Sequence, residues 1–165
     1  MRVLVVSKLF PRPEKILSGT FVMEQVKSLV DHGVTIQVVS PRPKPLLPGV
    51  LPGSGSRGSG LRETVVEGVP VSYLDYLHVP LRVSTRFEAQ SLVRRLFDFV
   101  SRLRSEAGIE VLHAHQLFPT GYATAVVGRR LGIPVVCTAH GSDVHTHPER
   151  NRGMARYTRS TLRSV

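Results

Sequence analysis

Hydrophobic residues along this chain alternate between short β-branched runs and longer stretches with helical periodicity. Residues 2–7 form an apolar run that is typical of a strand buried on both faces of a parallel sheet. Between residues 20 and 32 the apolar side chains recur on one helical face, Gly33 follows as a C-cap, and a second apolar run occupies 34–39. This order predicts one βαβ unit with a right-handed crossover.

The remainder of the chain repeats this alternation. The pattern predicts a short hairpin over 63–66 and 69–74, helices over 85–105, 119–131 and 154–163, and strands over 109–114 and 133–138. We therefore expect an α/β fold with a Rossmann-like, doubly wound parallel sheet. Because such sheets bind ligands beyond the carboxyl ends of their strands, we expect the functional residues in three loops, 8–20, 115–120 and 139–148.

Composition is consistent with one globular domain over residues 1–165. Of these residues 41% are hydrophobic and 21% are charged, which excludes a chain that is disordered throughout. Residues 41–60 hold five prolines and five glycines, and this segment is predicted to be a long mobile loop. The single cysteine, Cys137, cannot form an internal disulfide, and no apolar run approaches the roughly 18 residues of a membrane span. We expect a cytoplasmic location.

Charge narrows the choice of partners. The chain carries 22 basic and 12 acidic residues, a net charge of +10, which favours an anionic partner such as a phosphate, a nucleic acid or an acidic membrane. The alternative is an arginine-rich surface that is merely solvated. The predicted helix over 85–105 leaves the same alternatives open, because its arginines lie opposite its apolar residues. It lies either on an anionic membrane or on its own sheet.

The first of the three loops ends in Ser18-Gly19-Thr20, directly before the first predicted helix. Unpaired N–H groups and the positive end of the helix dipole would favour a phosphate there, although a glycine can also simply begin a helix. This first loop has neither a GxGxxG nor a GxxxxGK[ST] motif. This argues against a dinucleotide fold of the usual kind and against a P-loop NTPase.

Histidines accumulate in the other two loops. His113 and His115 share one face of a strand, and His140 follows in the third loop together with Asp143. Two histidines at this spacing suggest a metal pair, but Leu117 stands where a dinuclear HxHxDH site would need an aspartate. No carboxylate pair and no GxSxG motif occur in the loops. The residues leave two interpretations open: a metal hydrolase, or neutral imidazoles and backbone dipoles around a phosphate-sized hole.

Several segments, in the same order, resemble a known family. These are Gly19-Thr20-Phe21-Val22, His113-Ala114-His115-Gln116-Leu117-Phe118-Pro119-Thr120-Gly121, Leu131-Gly132-Ile133-Pro134, and Thr138-Ala139-His140-Gly141-Ser142-Asp143. Together they are similar to the N-terminal half of the retaining GT-B glycosyltransferases of family 4. The resemblance covers nearly the whole chain except residues 41–60.

The resemblance implies a two-domain enzyme in which two Rossmann-like domains face each other across a cleft. Residues 1–165 would form the acceptor-side domain, and the C-terminal domain that binds the donor would be missing, so the isolated chain is expected to be inactive. The implied reaction is retaining transfer of a sugar from a nucleotide-diphosphate sugar to a glycan or lipid-linked acceptor, in polysaccharide biosynthesis. It implies no cofactor, no metal ion and no nucleic acid, and it is compatible with peripheral contact with the anionic inner face of a membrane.

The resemblance also assigns roles to individual residues. Gly19 matches a glycine whose backbone approaches the donor phosphates, although many members have two glycines where this chain has Ser18-Gly19. His140 matches a catalytic histidine beside the transferred sugar. The residues that would line the acceptor crevice are His115, Gln116, Gly141 and Asp143. Two alternatives remain, a non-catalytic module that binds a phosphate or lipid and a histidine-based metal hydrolase.

Overall fold

The fold is built on a six-stranded sheet. The computed structural model describes residues 1–12, 15, 17–45, 61–79 and 85–165. The strands are β1 (Arg2–Val6), β2 (Thr35–Pro45), β3 (Leu61–Val66), β4 (Val69–His78), β5 (Val111–His115) and β6 (Val135–Thr138). Their order in the sheet is β3-β4-β2-β1-β5-β6, and all neighbours are parallel except the β3–β4 hairpin. The Rossmann-like, doubly wound prediction is confirmed, with an antiparallel strand at one edge.

Helices cover both faces of this sheet. They are α1 (Thr20–Asp31), α2 (Thr85–Ala107), α3 (Tyr122–Leu131), α4 (Thr146–Arg150) and α5 (Arg152–Leu162). A kinked turn over Leu117–Gly121, in which Phe118 has extended backbone angles, precedes α3. Side chains of β1 alternate between the two layers, as the period of a strand requires. Val3 and Val5 pack in the core beneath α1, whereas Leu4 and Val6 pack in the core beneath α2 and α3.

The chain leaves the centre of the sheet in opposite directions from β1 and β5. β1 is followed in the sheet by β2 on one side, and β5 is followed by β6 on the other. Loops that leave two adjacent parallel strands in opposite directions separate and open a crevice at the carboxyl ends of the strands. This position lies between Ser7 and His115. The loops over 8–20 and 115–120 begin there, and the loop over 139–148 begins at the carboxyl end of the neighbouring strand β6.

The prediction of a loop beginning at residue 41 is wrong for residues 41–45, because β2 continues to Pro45. Odd-numbered residues of β2 direct their backbone groups toward β1, as the bonds from Thr35 N–H to Met1 O and from Ser7 N–H to Val39 O show. β1 ends at Val6, so the missing N–H groups of Pro41, Pro43 and Pro45 face the open side and break no ladder bond. Residues 46–60, the rest of the predicted mobile loop, lie outside the described residues.

The long helix α2 packs against its own sheet, which is one of the two alternatives that the sequence left open. Its apolar side is buried in the core, including Leu92, Leu96 and Val100, while its arginines are exposed. Two of those arginines contact the protein: Arg95 Nε donates to Asp75 O at 3.1 Å and Arg104 donates to Leu131 O. In the described part of the chain, none of the helices combines the length and apolar character that crossing a bilayer requires.

The last predicted helix begins earlier than expected and is preceded by a short one. α5 starts at Arg152 because the Asn151 side chain accepts hydrogen bonds from the N–H groups of Gly153 and Met154, as an N-cap does. The last predicted strand is shorter than expected, since β6 begins only at Val135. The five-residue helix α4, between β6 and α5, carries too little hydrophobic periodicity to have been predicted.

Candidate functional site

The loops after β5 and β6 are joined to each other at the crevice. Gln116 N–H donates to Thr138 O at 2.9 Å, which carries the pairing of the two strands one residue past the end of β5. Beyond this bond the β5 loop turns into α3, and the β6 loop continues through His140. Residues 25 apart in sequence, such as His115 and His140, are therefore brought together at one edge of the sheet.

Three histidines form a cluster at this edge. The rings of His113 and His115 lie 4.5 Å apart between centroids, and the predicted sharing of one strand face is confirmed. His115 Nδ1 lies 3.0 Å from His140 Nε2, and His113 Nε2 lies 2.8 Å from Thr138 Oγ1. The His140 ring also meets the edge of Phe21, in the first turn of α1, at 4.8 Å. His140 is thus held between the β5 histidines and the start of α1.

Burial keeps two of these histidines neutral. It lowers the pKa of His115 to about 3, with further lowering from the neighbouring His113 and His140, and it lowers the pKa of His113 in the same direction. A bond between two ring nitrogens needs one protonated nitrogen and one bare nitrogen. The His115–His140 contact therefore occupies Nε2 of His140 and leaves Nδ1 as its ring nitrogen for a ligand.

The same contact bears on the metal hypothesis. Two imidazoles that bind a common metal ion direct a lone pair from each ring at the ion, whereas Nδ1 of His115 and Nε2 of His140 face each other. Within the described residues, no three or more His, Cys, Asp or Glu side chains are grouped so that they could hold a metal ion. Nε2 of His115 is buried and has no hydrogen-bond partner among those residues. The geometry does not favour a histidine-based metal hydrolase.

Asp143 is the polar centre of the third loop. Its side chain is almost completely buried, with 1% of the residue exposed. One carboxylate oxygen accepts from His140 N–H at 2.8 Å, and the other accepts from Leu117 N–H at 2.7 Å. Both oxygens are therefore bonded to backbone, and Asp143 positions His140 against the kinked turn rather than presenting a free carboxylate to the crevice.

The first loop approaches α1 closely at Gly19. This residue has a φ of +78°, and a Cβ built on it would lie 2.3 Å from Leu9 O. Glycine is therefore required at residue 19 by packing and conformation alone. No side chain among the described residues caps α1, and Val22 N–H donates to Gly19 O at 3.0 Å. The N–H groups that precede Val22 therefore lack a capping side chain. The arrangement suits a phosphate, the role that the resemblance implies for Gly19.

Gln116 and Gly141 both have positive φ angles, and for different reasons. Gln116 follows β5 with a φ of +71°, a conformation that is unfavourable for a residue with a Cβ. Gly141 has a φ of +75°, and a Cβ there would meet no described atom within 4 Å. Its carbonyl accepts from the N–H groups of Val144 and His145, so Gly141 begins the turn that brings Asp143 back to His140.

The structure also shows basic residues that sequence reasoning missed. A cavity of about 680 Å³ at the carboxyl ends of β1 and β2 is lined by five cationic side chains. These residues, termed the basic pocket from here on, are Lys8, Arg12, Lys15, Arg42 and Lys44. The signal that could have found two of them is the alternation Pro41-Arg42-Pro43-Lys44-Pro45, because period two places both cations on one strand face.

Comparison with known proteins gives a family and one related protein of named activity. The model of Glycosyltransferase Family 4 matches residues 18–165. A putative teichuronic acid biosynthesis glycosyltransferase of Bacillus subtilis (strain 168), TuaC, is 31% identical over 157 residues, which is 93% of this chain. The match covers 39% of that relative, so the chain spans well under half of its length.

Solved structures show the same fold. A sucrose-phosphate synthase from Thermosynechococcus elongatus is 9% identical with a TM-score of 0.54, and the match covers 98% of this chain and 40% of that protein. A UDP-GlcNAc 2-epimerase from Neisseria meningitidis, bound to UDP-GlcNAc, is 15% identical with a TM-score of 0.51, covering 98% and 39% of the two chains. At these identities the likeness concerns the fold alone.

Proposed function

The chain belongs to Glycosyltransferase Family 4, and on this premise we propose that its crevice binds the acceptor for sugar transfer from a nucleotide-diphosphate sugar. The proposed product retains the anomeric configuration of the donor, and the proposed acceptor is a glycan or a lipid-linked glycan of a polysaccharide pathway. Donor binding is assigned to a second domain that closes over the crevice, so the 165 residues alone are expected to be inactive.

The observation that carries this proposal is the way His140 is held. Asp143 accepts a hydrogen bond from its backbone N–H at 2.8 Å, Nδ1 of His115 lies 3.0 Å from its Nε2, and its ring is in contact with the Phe21 ring. A side chain fixed from three directions loses little freedom when a ligand binds. Its Nδ1 is then available to hydrogen-bond a hydroxyl of the transferred sugar and to stabilise charge that develops during transfer.

The amino end of α1 supplies the second part of the proposed mechanism. Phe21 contacts His140, so the first turn of α1 lies beside the imidazole. Backbone N–H groups at a helix start favour a phosphate. When the glycosidic bond of the donor breaks, the diphosphate leaves with increased negative charge. The start of α1 at Gly19 is assigned to stabilise that charge together with cationic groups of the second domain, without a metal ion or cofactor.

The location proposed for this reaction is the cytoplasmic side of a membrane. A lipid-linked acceptor would bring the protein to that surface, and exposed arginines of α2 such as Arg94 would then provide peripheral contact with anionic lipid. This part of the proposal rests on charge and on the nature of the acceptor.

Transfer can be tested in the full-length protein with His140→Ala and a matched variant, His145→Ala, in the same loop. His145 is exposed, and its backbone N–H bonds to Gly141 O in either variant. We expect His140→Ala to lower kcat by at least about 100-fold, the range of a lost transition-state contact, while His145→Ala keeps wild-type turnover. Product is followed by mass spectrometry, and circular dichroism checks folding. Undiminished turnover by folded His140→Ala would overturn the role of this residue.

A further inference from the structure

The basic pocket lies at the carboxyl edge of the sheet and carries more positive charge than its surroundings neutralise. Five cationic side chains line the cavity of about 680 Å³, and Glu88 is the acidic residue among the described residues that line it. The volume is within the range of small-molecule sites. A concave site with a local surplus of cations attracts an anion of comparable size.

Arg42 and Lys44 are held on one face of β2 by the strand β4. Arg42 is in register with Asp75, and its Nε lies 3.1 Å from the Asp75 carboxylate. Lys44 Nζ lies 3.9 Å from the same carboxylate, and the Arg42 guanidinium lies 5.1 Å above the Tyr73 ring. The contact with Asp75 is an ion pair without hydrogen-bond geometry, since Arg42 Nε has no hydrogen-bond partner among the described residues. The planar guanidinium is a donor group that suits a phosphate.

The opposite wall of the pocket is the loop after β1. Arg12 and Lys15 are antiparallel bridge partners, so their side chains project from the same side of this loop. Arg12 Nη2 donates to Lys8 O at 3.2 Å, and Tyr73 Oη donates to Pro11 O at 3.0 Å. These contacts tie the loop to β4 and place its cations opposite those of β2.

Lys8 shares its carboxylate partner with two other groups. Its ammonium lies 3.7 Å from Glu88, which also accepts from Tyr76 Oη at 2.9 Å and faces His78 Nδ1 at 3.6 Å. Burial lowers the pKa of Lys8 despite the attraction of Glu88. The carboxylate shared among three neighbours leaves Lys8 with a need for further negative charge, which an anion in the pocket would meet.

We propose that the basic pocket binds a phosphate group of the acceptor, either as a sugar phosphate or as the diphosphate of a lipid-linked sugar. This inference rests on the proposed function and adds the chemical class of the acceptor. The pocket is continuous with the residues of that site, since Gln116 and Ser18 line it and directly adjoin His115 and Gly19. An acceptor anchored by its phosphate in the pocket can extend its hydroxyl toward His140.

The test uses direct binding in the absence of any donor, so it is independent of catalysis. Glucose 6-phosphate and geranyl diphosphate serve as the two phosphate sources, and glucose serves as the neutral control, each titrated by calorimetry at low and high salt. The variant Arg12→Gln/Lys44→Gln removes two pocket cations. Its matched control, Arg129→Gln/Arg130→Gln, removes two exposed cations from the last turn of α3.

We expect at least one phosphate compound to bind and glucose to bind much more weakly. The pocket variant should weaken that binding at least about tenfold, as loss of charged hydrogen bonds implies, and the α3 variant should change it less than twofold. The compound that binds more tightly identifies the source of the phosphate. Equal weakening by both variants would reduce the effect to net charge and overturn the proposal.

The remaining alternative is that the basic pocket binds the phosphates of the donor rather than a phosphate of the acceptor. UDP is added as a competitor, and displacement of the bound phosphate compound by UDP with equal or greater affinity would assign the pocket to donor phosphates and contradict an acceptor site. A different pair of results would contradict the proposed function alone: the phosphate compound binds to the pocket as expected, but His140→Ala transfers sugar as well as the wild type. The two failures are therefore distinguishable.

Discussion

The carboxylate of Asp143 accepts a hydrogen bond from the backbone N–H of Leu117 at 2.7 Å, across 26 positions in sequence. Its other oxygen accepts from His140 N–H at 2.8 Å. One buried side chain thus joins the loop after β6 to the kinked turn after β5. These two hydrogen bonds order the crevice, because the position of His140 depends on the Asp143 carboxylate, which belongs to neither strand.

Replacement of Asp143 should destabilise the protein through two unpaired N–H groups. Hydrogen bonds to charged groups contribute about 1.5–3 kcal/mol each, and orphaned donors carry a desolvation cost. We expect Asp143→Ala to lower the free energy of unfolding by about 3 kcal/mol in urea denaturation. Asp143→Asn keeps one acceptor oxygen, so its free energy of unfolding should lie between those of the wild type and Asp143→Ala. The control Asp98→Ala, on the exposed side of α2, should change stability by less than about 0.5 kcal/mol.

Gly19 should be far less tolerant of a side chain than Gly33, although both have nearly the same φ of about +80°. A Cβ at Gly19 would lie 2.3 Å from Leu9 O, whereas at Gly33 it would meet no described atom within 4 Å. The variant Gly33→Ala thus measures only the cost of placing a Cβ on a left-handed backbone, which is about 1–2 kcal/mol. Gly19→Ala should cost about 1–3 kcal/mol more through overpacking, measured by urea denaturation.

Equal costs for the two glycine variants would contradict the close approach of α1 to Leu9. A functional measurement complements the comparison, because displacement of the α1 start should also weaken binding of a donor phosphate. Gly33→Ala, at the other end of α1, should leave that binding unchanged.

The buried His115 should make stability fall on the acid side. Its pKa is about 3 in the folded state and near 6.5 when unfolded, so the unfolded chain binds more protons between these values. Stability attributable to neutral His115 is therefore complete above about pH 6.5 and is lost progressively toward pH 3. From pH 8 to pH 5 the linkage relation gives a loss of about 2 kcal/mol.

The variant His115→Phe removes this proton and should reduce the loss between pH 8 and pH 5 by about 2 kcal/mol. Urea denaturation at both pH values gives the difference, which is unaffected by any pH-independent cost of the substitution. The control His32→Gln, on the surface at the end of α1, should retain the wild-type decrease. If His115→Phe lost as much stability between pH 8 and pH 5 as the wild type does, groups other than His115 would be responsible for the loss.

Local sequence patterns were sufficient for the doubly wound fold and for part of the site. The β-branched runs and helical periodicity specify β1, α1 and α2, because each buries a continuous apolar side. The spacing of His113 and His115 placed both rings on one strand face, since strand period is independent of tertiary contacts. The ring contact of His140 with His115 spans 25 residues and depends on sheet register, which no local pattern contains.

The basic pocket was missed for a related reason. Proline is unfavourable inside a sheet, so Pro41, Pro43 and Pro45 indicated a loop. Their tolerance depends on which side of β2 is unpaired, and this follows only once β1 is known to end at Val6. Arg42 and Lys44 could not be placed opposite Lys8 without that topology.

The backbone conformation of Gln116 shapes the crevice and should lower the free energy of unfolding. Its φ of +71° and ψ of 139° lie in a region that glycine adopts far more readily than residues with a Cβ, at a typical cost of about 1–3 kcal/mol. We therefore expect Gln116→Gly to raise the free energy of unfolding by about 1 kcal/mol, net of the greater entropy of unfolded glycine. Gln116→Ala keeps the strained backbone and should not be stabilised. Both variants lose the side chain that lines the basic pocket, so an acceptor contact by Gln116 would raise the KM for acceptor in both. A change of KM in Gln116→Gly alone would assign the effect to the backbone instead.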